Sequence, residues 1–481
     1  MEKFAAIIGI VFILGLCYFF SSDKKNINRK ILFWGVLLQF TIAVIIIKGD
    51  IISNSLQRML PISDAVSDLT ALALIIFIAL FYKQLKEKKI FLIISLIFFG
   101  FFALHSNMIL WFFDKARIIV AKIIQYTGEG TNFVFGSLGK AEGPAGFIFA
   151  VQVLSTIIFV ASLFAALYYL GIMQKVVTFF AKLMLKFMGT SGAESTNVAA
   201  SIFMGQTEAP LTIRHYLSKL TESELFTIMI TGFAHISEGI MPAYVMVGQV
   251  DIKHLLCAVL MTAPGAILVS KMLIPETEKT ETGARINVDI PKEDVNLIDA
   301  LSRGTIDGGK LALNVLAMLI SFIALIGLIN GGFGWIYKKI NLIAESGSFL
   351  AGVACAVKPF FPQKLEILFG WIFSPIAWAM GVPSQDITHV GSLMGTRMVL
   401  NEFVAYINLA GIKSVITPKS FIIATYALCG FANLGSVAIQ IGGIGALIPE
   451  RRHELAKLGI NAMIAGSLVN FLSAAIVSLL I

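Results

Sequence analysis

The chain is poor in charged residues and in long polar stretches. Only 14% of its 481 residues are charged, whereas 57% are hydrophobic and the mean hydropathy is +0.86. Soluble domains carry about a quarter charged residues, and the longest polar stretch here, residues 275–310, is too short to form such a domain. The composition therefore excludes a soluble enzyme or binding domain and predicts an all-α polytopic membrane protein.

Cysteine is also scarce, and its placement excludes a disulfide framework. The net charge of +8 comes from Lys and Arg between apolar segments, which is typical of basic cytoplasmic loops rather than of a nucleic-acid surface. We therefore expect the lipid bilayer, and no nucleic acid, as a partner. Four single cysteines in apolar surroundings predict packing rather than metal ligation: Cys17, Cys257, Cys355 and Cys429.

Apolar runs long enough to cross a bilayer recur along the chain. A crossing needs about 20 residues, and the runs predict about ten spanning helices. The first run, residues 4–20, could pass for a signal peptide, but its basic cluster follows the apolar residues, so it predicts a first spanning helix. Basic loops at 24–30, 83–89, 276–305 and 450–453 indicate the inner side. The pattern predicts a multi-pass protein of the plasma membrane (the bacterial inner membrane) with both termini outside.

Two polar interruptions stand out in the hydrophobic sequence. Residues 205–210 read Gly-Gln-Thr-Glu-Ala-Pro, and Asn401 and Glu402 form a second polar pair between apolar arms. A carboxylate at bilayer depth costs roughly 2.5–3.5 kcal/mol on insertion scales, so an intramembrane Glu points to a functional site. Two such breaks in corresponding halves of a membrane protein indicate the binding site of a transporter.

The elements around the two interruptions occur in the same order twice. Regions 190–217 and 384–412 are too interrupted to span once, and each is followed by a broken span, 225–247 or 419–447, and then by a straight helix. Flanking charges place the open end of the first hairpin inside, and the order of the spans that follow places that of the second outside. The layout predicts inverted repeats, each with a re-entrant hairpin and a broken transmembrane helix.

Three motifs, residues 205–211, 401–406 and 429–433, resemble signatures of the concentrative nucleoside transporters. The resemblance runs from about Gly128 to the C-terminus, and its motifs occur in the right order. It implies a homotrimer that imports nucleosides with a coupled cation, each protomer having a scaffold domain and a transport domain. We predict five regions: 1–127, scaffold helices with an inserted helix pair at about 68–113; 128–175, a Gly-rich loop and a scaffold helix; 176–276, the first transport repeat; 277–363, a cytoplasmic loop and a scaffold helix; and 364–481, the second transport repeat.

The resemblance also implies which residues contact the nucleoside. Independently of it, ribose hydroxyls suit a carboxylate and an amide, and a base edge suits Gln, Thr and Glu. Charge-assisted hydrogen bonds to the sugar would offset the cost of burying a carboxylate. The implied residues are Gln206, Thr207 and Glu208 for the nucleobase, Glu402, Asn433 and Ser436 for the ribose, and Phe431 and Ile240 for apolar contact.

The cation site is where the chain departs from the family. The resemblance to sodium-coupled members implies an Asn where this chain has Ser201 and a Ser where it has His235. His235 and Glu238 are three residues apart and form a titratable pair on one helix face, so we predict proton coupling with no other cofactor. The alternatives are sodium, held by Ser201 and the carbonyls of Met204 and Ile236, and a histidine that merely lines a water-filled vestibule.

Rival functions are disfavoured by what the motifs contain. A dicarboxylate carrier would need cationic groups for its substrate, whereas both interruptions carry carboxylates. An intramembrane enzyme would need a zinc motif, a paired-Asp motif or a Ser/His dyad, and the sequence has none of these at plausible spacing. A nucleoside receptor without transport stays open as a third reading.

Overall fold

The computed structural model describes residues 2–481 except 64–65, 75–76, 78–88, 106–107, 141–142, 144–145, 238, 284–293 and 347–348. Every regular element in this described part is helical, which confirms the all-α class. Six of the described helices are long and apolar enough to cross a membrane. The two broken helices add further candidate crossings, and the predicted total of about ten stays a prediction because the helix pair expected at about 68–113 lies partly outside the described residues.

The N-terminal region supplies a layer of apolar helices ahead of the first repeat. The longest of them packs against the straight helix of that repeat. The helices are α1 (Glu2–Phe19), α2 (Arg29–Met59), α3 (66–74), α4 (Lys89–His105), α5 (Met108–Phe135), α6 (Phe149–Gln152) and α7 (Leu154–Tyr169).

Two sets of helices follow the order expected for repeats, and a 49-residue helix separates them. The first set is α8 (Ile172–Met188), α9 (Gly192–Ser201), α10 (Glu222–Ala234), α11 (Met241–Gly248) and α12 (Ile252–Leu273). Between the sets lie α13 (Leu297–Glu345) and α14 (Ala351–Val357). The second set is α15 (Leu365–Ala379), α16 (Ile387–Val399), α17 (Glu402–Gly411), α18 (Pro418–Leu428), α19 (Leu434–Leu447) and α20 (Arg452–Leu480).

Each set contains one hairpin and one broken helix. In the first hairpin, α9 leads into a turn and two short 3-10 segments, Ala209–Ile213 and Leu217–Lys219. In the second hairpin, α16 and α17 meet at Asn401, whose side chain caps α17 by accepting a hydrogen bond from Val404 N. The broken helices are α10 with α11 and α18 with α19. The interruptions therefore lie where polar residues, Gly and Pro break the apolar runs.

The breaks of the two broken helices touch each other and the last helix. Asn470 of α20 donates its amide hydrogens to Ala234 O and Cys429 O, both at 2.8 Å, so it satisfies a carbonyl at the end of each first half. Phe431 N donates to His235 O at 3.3 Å, which joins one break directly to the other. A Cβ on Gly430 would lie 2.8 Å from a backbone oxygen, so this crossing requires glycine.

A buried ionic cluster holds the base of the first hairpin. Lys271 of α12 is 3% exposed, and its Nζ lies 2.5 Å from Glu194 Oε1 and 3.3 Å from Glu276 Oε2. Ser191 begins α9 and donates to Glu224 Oε1 of α10 at 2.5 Å. Both helices start with capping boxes, so the carboxylates of Glu194 and Glu224 also satisfy free backbone N–H groups. The cluster therefore connects the N-terminal ends of α9 and α10 with the C-terminal end of α12.

Helix α4 is joined to α2 and α3 through a buried histidine. His105 ends α4, and its Nδ1 lies 2.8 Å from Ser67 Oγ while its Nε2 lies 2.7 Å from Leu60 O. Its carbonyl accepts a hydrogen bond from Ser53 Oγ of α2 at 2.9 Å. These contacts explain why a histidine can stay buried at the end of an apolar helix.

The prediction of a Gly-rich loop at the start of region 128–175 is wrong. Helix α5 continues to Phe135, and a 3-10 turn, Gly136–Gly139, follows it. Thr127 and Thr131 each donate to a carbonyl four residues earlier at 2.8 Å, so their hydroxyls are satisfied within the helix. A glycine in a helix costs about 1 kcal/mol relative to Ala, which is less than the cost of an unpaired backbone group in an apolar setting. The predicted boundary between 127 and 128 therefore falls inside a helix.

Other predicted limits also need correction. For the pair predicted at about 68–113, the turn at 83–88 and residues 106–107 lie outside the described residues, so its limits stay a prediction. The loop predicted at the start of region 277–363 is helical from Leu297 onward. The first repeat begins before residue 176, since α8 starts at Ile172. In α8 and at the start of α13, charged side chains such as Lys175 and Arg303 lie on the exposed face of a helix rather than in a loop.

Candidate substrate site

One face of α19 forms the floor of the candidate site. Asn433 caps this helix, its Oδ1 accepting a hydrogen bond from Ser436 N at 2.8 Å. Ser436, Gln440 and Gly443 follow at intervals of four and three residues, which places them in a row on the same face. The tip of the first hairpin contacts this row, and the tip of the second contacts Asn433 at its start.

The second hairpin brings a buried carboxylate to Asn433. Glu402 is 5% exposed; its Oε2 accepts from Asn433 Nδ2 at 3.1 Å, and its Oε1 accepts from Tyr244 Oη at 2.8 Å. Tyr244 belongs to α11, and its ring packs against Tyr406 and Phe403 of α17 with centroid distances of 4.9 and 5.4 Å. The two donors fix the position of the carboxylate between the two broken helices.

The first hairpin brings an amide to the same row. Gln206 Nε2 donates to Ser436 Oγ at 3.2 Å, and Gln206 Oε1 accepts from Gln440 Nε2 at 3.2 Å. Thr207 packs over Gly443, where a Cβ would lie 2.5 Å from Thr207 Cγ2. The predicted residues Gln206, Ser436, Asn433 and Glu402 are therefore connected through α19.

Glu208 follows Gln206 and Thr207 in sequence but faces a different space. Its Oε2 accepts a hydrogen bond from Gly205 N at 3.2 Å. It lines a cavity of about 330 Å³ together with Met204, Ser237 and Asp307, whereas Gln206 and Glu402 are not among the described residues that line it. The tight turn after Gly205 therefore separates Glu208 from Gln206 and Thr207, with which it was predicted to contact the nucleobase.

The cavity beside Glu208 is closed at one edge by an ion pair. Arg303 of α13 donates to both oxygens of Asp294, Nε at 2.6 Å and Nη2 at 2.7 Å. The Arg303 guanidinium holds the pKa of Asp294 below its usual value, mainly through this hydrogen bonding. Asp294 and Arg303 both line the cavity, so α13 forms the wall opposite the first hairpin.

The two predicted apolar contacts lie at the breaks. Ile240 is 5% exposed and immediately precedes α11. Phe431 is half-buried and belongs to the second break, two residues before Asn433. Both positions border the helix ends that carry the polar residues of the site.

The predicted cation residues lie at the end of α9 and in the first break. Ser201 Oγ donates to Asn197 O at 2.9 Å, and Ile236 is fully buried. His235 is 2% exposed; its Nδ1 lies 2.9 Å from Thr231 O, and its Nε2 has no hydrogen-bond partner among the residues that the structure describes. Met204 lines the cavity beside Glu208. Glu238, the predicted partner of His235, lies outside the described residues.

Sequence reasoning missed three polar residues around the site. Tyr244 holds Glu402, and Gln440 holds Gln206. Arg397 is 1% exposed in α16 and donates to Ala427 O and, at 2.9 Å, to Ser467 Oγ. A signal existed for two of them: Gln440 follows Ser436 by one helical turn, and Arg397 is a charge within an apolar hairpin arm. Tyr244 carried no such signal, because a tyrosine after Pro242 also fits ordinary packing.

Comparison with protein families and known structures gives a consistent result. Family profiles described as the N-terminus and C-terminus of Na+ dependent nucleoside transporters match residues 8–74 and 254–478, and one described as nucleoside recognition matches residues 150–250. An uncharacterized transporter of Haemophilus influenzae is 42% identical over 372 residues, covering 76% of this chain and 84% of that protein.

Relatives with assigned names and a solved structure agree with these profiles. The nucleoside permease NupC of Helicobacter pylori is 36% identical over 371 residues, covering 75% of this chain and 84% of that one. The structure of CNTnw in an inward-facing, substrate-bound state has a TM-score of 0.77 at 32% identity and covers 100% of this chain and 99% of CNTnw. The likeness therefore extends over the full length of the described fold.

Proposed function

Since the chain belongs to the family of Na+-dependent, concentrative nucleoside transporters, we propose that it imports nucleosides by cation symport, with the proton as the coupling ion. The relatives in this family are transporters rather than enzymes.

The meeting of both hairpin tips on one face of α19 is the observation that supports nucleoside binding. Glu402 and Asn433 offer a charged acceptor and an amide, which together suit the vicinal hydroxyls of a ribose. Gln206 and Thr207 lie further along the same face, where a base attached to that ribose would extend. Glu208 completes the base contacts when the first hairpin closes over the substrate. Tyr244 positions Glu402 before the sugar arrives.

His235 is the residue that supports proton coupling. Its Nδ1 faces the carbonyl of Thr231 and so carries a hydrogen, which leaves the Nε2 lone pair available for a proton. Its own carbonyl accepts from Phe431 N, in the break that leads into Asn433. A change of charge at His235 therefore occurs next to the substrate residues. Symport requires only that the proton bind the loaded carrier better than the empty one.

Sodium is the second candidate, and one buried amide favours it. Asn197 is 1% exposed, and neither atom of its amide has a hydrogen-bond partner among the described residues. It lies one helical turn before Ser201. Sodium-coupled members of the family resemble one another in having an Asn at the position of Ser201, so Asn197 offers the same amide one turn earlier. Its amide oxygen, with Ser201 Oγ and the carbonyls of Met204 and Ile236, would form an oxygen shell of the kind that hard cations prefer.

The coupling ion is tested by uptake of labelled uridine into proteoliposomes at a clamped membrane potential. We expect uptake to follow the imposed pH gradient and to persist when choline replaces sodium, and we expect His235→Ser to abolish the response to pH. Asn197→Ala serves as the sodium-site counterpart and should leave the pH response intact. Uptake that requires sodium and ignores the pH gradient would refute proton coupling and favour the Asn197 site.

The proposal extends to assembly and orientation. Helix α13 exposes large apolar side chains such as Ile320, Leu328 and Trp335, which are 64%, 74% and 63% exposed; this surface suits lipid and the neighbouring protomers of a homotrimer. The hairpins are re-entrant in this proposal, the first from the inner side and the second from the outer side of the bacterial inner membrane. Both termini then lie outside.

Cysteine labelling tests this orientation at the inserted pair. A cysteine at Gln84, in a Cys355→Ser background that removes the one exposed cysteine of the described chain, should react with an impermeant maleimide only from inside. The basic connector Lys83–Lys89 is the reason for this expectation. A matched cysteine at Ser22, an exposed residue just before the first basic loop, should behave in the same way. Reaction of the Gln84 position from outside would invert the predicted topology of the pair.

A further inference from the structure

Helix α8 carries a row of exposed side chains that the proposed function does not involve. Its buried residues Val177 and Ala181 belong to one cluster with Ala199 and Ala200 of α9. The opposite face of α8 is exposed at intervals of three and four residues, which keeps those side chains in one row along the helix. The row consists of Ile172, Lys175, Phe179, Lys182 and Lys186. Cations and large apolar groups therefore share one exposed face.

Helix α8 does not have the composition of a crossing helix. It has 17 residues and three lysines, whereas a crossing needs about 20 predominantly apolar residues. It follows α7 after two residues, and Gly171 in this link has a φ of +74°, a conformation that favours glycine and lets the chain turn sharply. A helix of this kind lies in the membrane interface, with its apolar side chains among the acyl chains and its lysines reaching the headgroups.

The cations of this row have no carboxylates to balance them. No Asp or Glu occurs between Glu142 and Glu194 in the sequence. Within the described part of the chain, none of the three lysines of α8 forms an ion pair. Lys30 of α2 adds a fourth cation at the end of α8, since its Nζ lies 3.6 Å from the place that a Cβ on Gly189 would take. The basic loop at 24–30 and α8 therefore form one positively charged surface.

The chemistry of this surface fits a bilayer that contains anionic phospholipid. Ile172 and Phe179 are 45% and 58% exposed, and a nucleic acid or an acidic peptide would leave such apolar side chains in water. Phospholipid supplies both partners, because its phosphate balances the lysines and its acyl chains cover the apolar groups. Each lysine near an anionic lipid surface strengthens binding about fivefold.

We propose that the exposed row of α8 binds anionic phospholipid headgroups in the leaflet that the basic loop at 24–30 faces. Lys182, Lys186 and Lys30 hold the phosphate, and Phe179 inserts among the acyl chains. Because α8 packs against α9, the bound lipid supports the helix on which the first hairpin rests. This lipid site does not depend on which solute or cation the protein carries, so it goes beyond the proposed function.

The test measures lipid binding to the purified full chain by native mass spectrometry. The protein in neutral detergent is titrated with phosphatidylglycerol or with phosphatidylcholine of the same acyl chains, and the ratio of the two binding constants reports the effect of headgroup charge. We expect the wild type to bind phosphatidylglycerol about tenfold tighter, and the preference to fall to about twofold in Lys182→Gln with Lys186→Gln. Raising the ammonium acetate concentration should reduce the wild-type preference.

A matched pair of lysines provides the control for loss of charge. Lys219 and Lys310 have side chains that are 63% and 70% exposed, but each already forms an ion pair, with Glu281 and Asp307 respectively. Lys219→Gln with Lys310→Gln removes the same number of cations and should keep the preference for phosphatidylglycerol. Phe179→Ser should weaken the binding of both lipids by a similar factor and leave their ratio unchanged.

Three results would overturn the inference. The first is a wild-type preference in the Lys182 and Lys186 variant, and the second is an equal loss of preference in the control variant. The third is displacement of phosphatidylglycerol by inorganic phosphate, which would show a site for free anions rather than for a lipid surface. Failure of the wild type to bind uridine would instead refute the proposed function and leave this lipid site unaffected.

Discussion

Glu402→Gln should weaken ribonucleoside binding by roughly one to two orders of magnitude, since a hydrogen bond to a charged group is worth roughly 1.5–3 kcal/mol. The carboxylate accepts from Tyr244 and Asn433 on opposite oxygens, so its charge is held where the ribose would approach. An amide at this position loses the charge and also brings an N–H group against one of those donors. Equilibrium binding of uridine to the purified variant measures the effect.

A matched variant tests whether the effect of Glu402→Gln comes from the substrate site or from the removal of any carboxylate that is hydrogen-bonded to an Asn. Glu366 in α15 is half-buried and accepts from Asn330 Nδ2 at 3.2 and 3.1 Å, which is a similar contact away from both hairpin tips. Glu366→Gln should bind uridine as the wild type does. In Glu402→Gln the penalty for removing the ribose hydroxyls, measured with 2′,3′-dideoxyuridine, should shrink. Wild-type affinity in the Glu402 variant would remove this residue from the site.

Lys271→Met should destabilise the folded protein by about 3–5 kcal/mol, because it removes one partner of a buried ion pair and leaves the carboxylates uncompensated. Lys271 is the cation that contacts Glu194 and Glu276, and Glu224 lies in the same cluster through Ser191. The variant should therefore unfold at a clearly lower temperature in detergent, which thermal unfolding followed by circular dichroism would show.

The pair of Lys219 and Glu281 provides the control for burial. These side chains are 3.1 Å apart but 63% and 50% exposed, so Lys219→Met should cost less than about 1 kcal/mol. A double variant, Lys271→Met with Glu194→Met, should recover part of the stability, since an apolar pair can replace a buried ion pair. Equal melting temperatures for the Lys271 and Lys219 variants would show that the buried cluster contributes little.

The hairpins and broken helices could be predicted from the sequence where polar residues that interrupt an apolar run have only one physical explanation. A carboxylate beside Gly and Pro, as at residues 205–210, cannot continue a lipid-facing helix, so the hairpins and broken helices could be identified from sequence. Asn401 and Asn433 also fall at helix starts in the structure, where each caps its helix. Their polarity therefore indicated both the break and its location.

Other predictions failed because one local pattern fits two structures. Glycines at 128 and 130 suggested a loop, but hydroxyls that bond within the helix and the cost of unpaired backbone groups favour α5. The boundary predicted between residues 175 and 176 falls within α8, which exposes its lysines and buries Met173, Val177 and Ala181 on its other face. In both segments the arrangement of side chains around the helix, rather than their average polarity, decided the structure.

The part of the site that the sequence could not reveal depends on contacts between distant segments. Tyr244 and Glu402 are separated by 158 positions, and Gln206 and Gln440 by 234. No local spacing records such pairings. The turn after Gly205 likewise directs Glu208 away from Gln206, although the two are nearly adjacent in the sequence.

A cryo-electron microscopy structure with uridine bound would show where the nucleoside lies, because it locates the ligand without reference to transport. We expect density along α19, with the ribose hydroxyls within hydrogen-bonding distance of Glu402 and Asn433 and the base edge facing Gln206 and Thr207. Density confined to the cavity beside Glu208 and Asp307, with the contacts of Glu402 to Tyr244 and Asn433 unchanged and no ligand along α19, would contradict it.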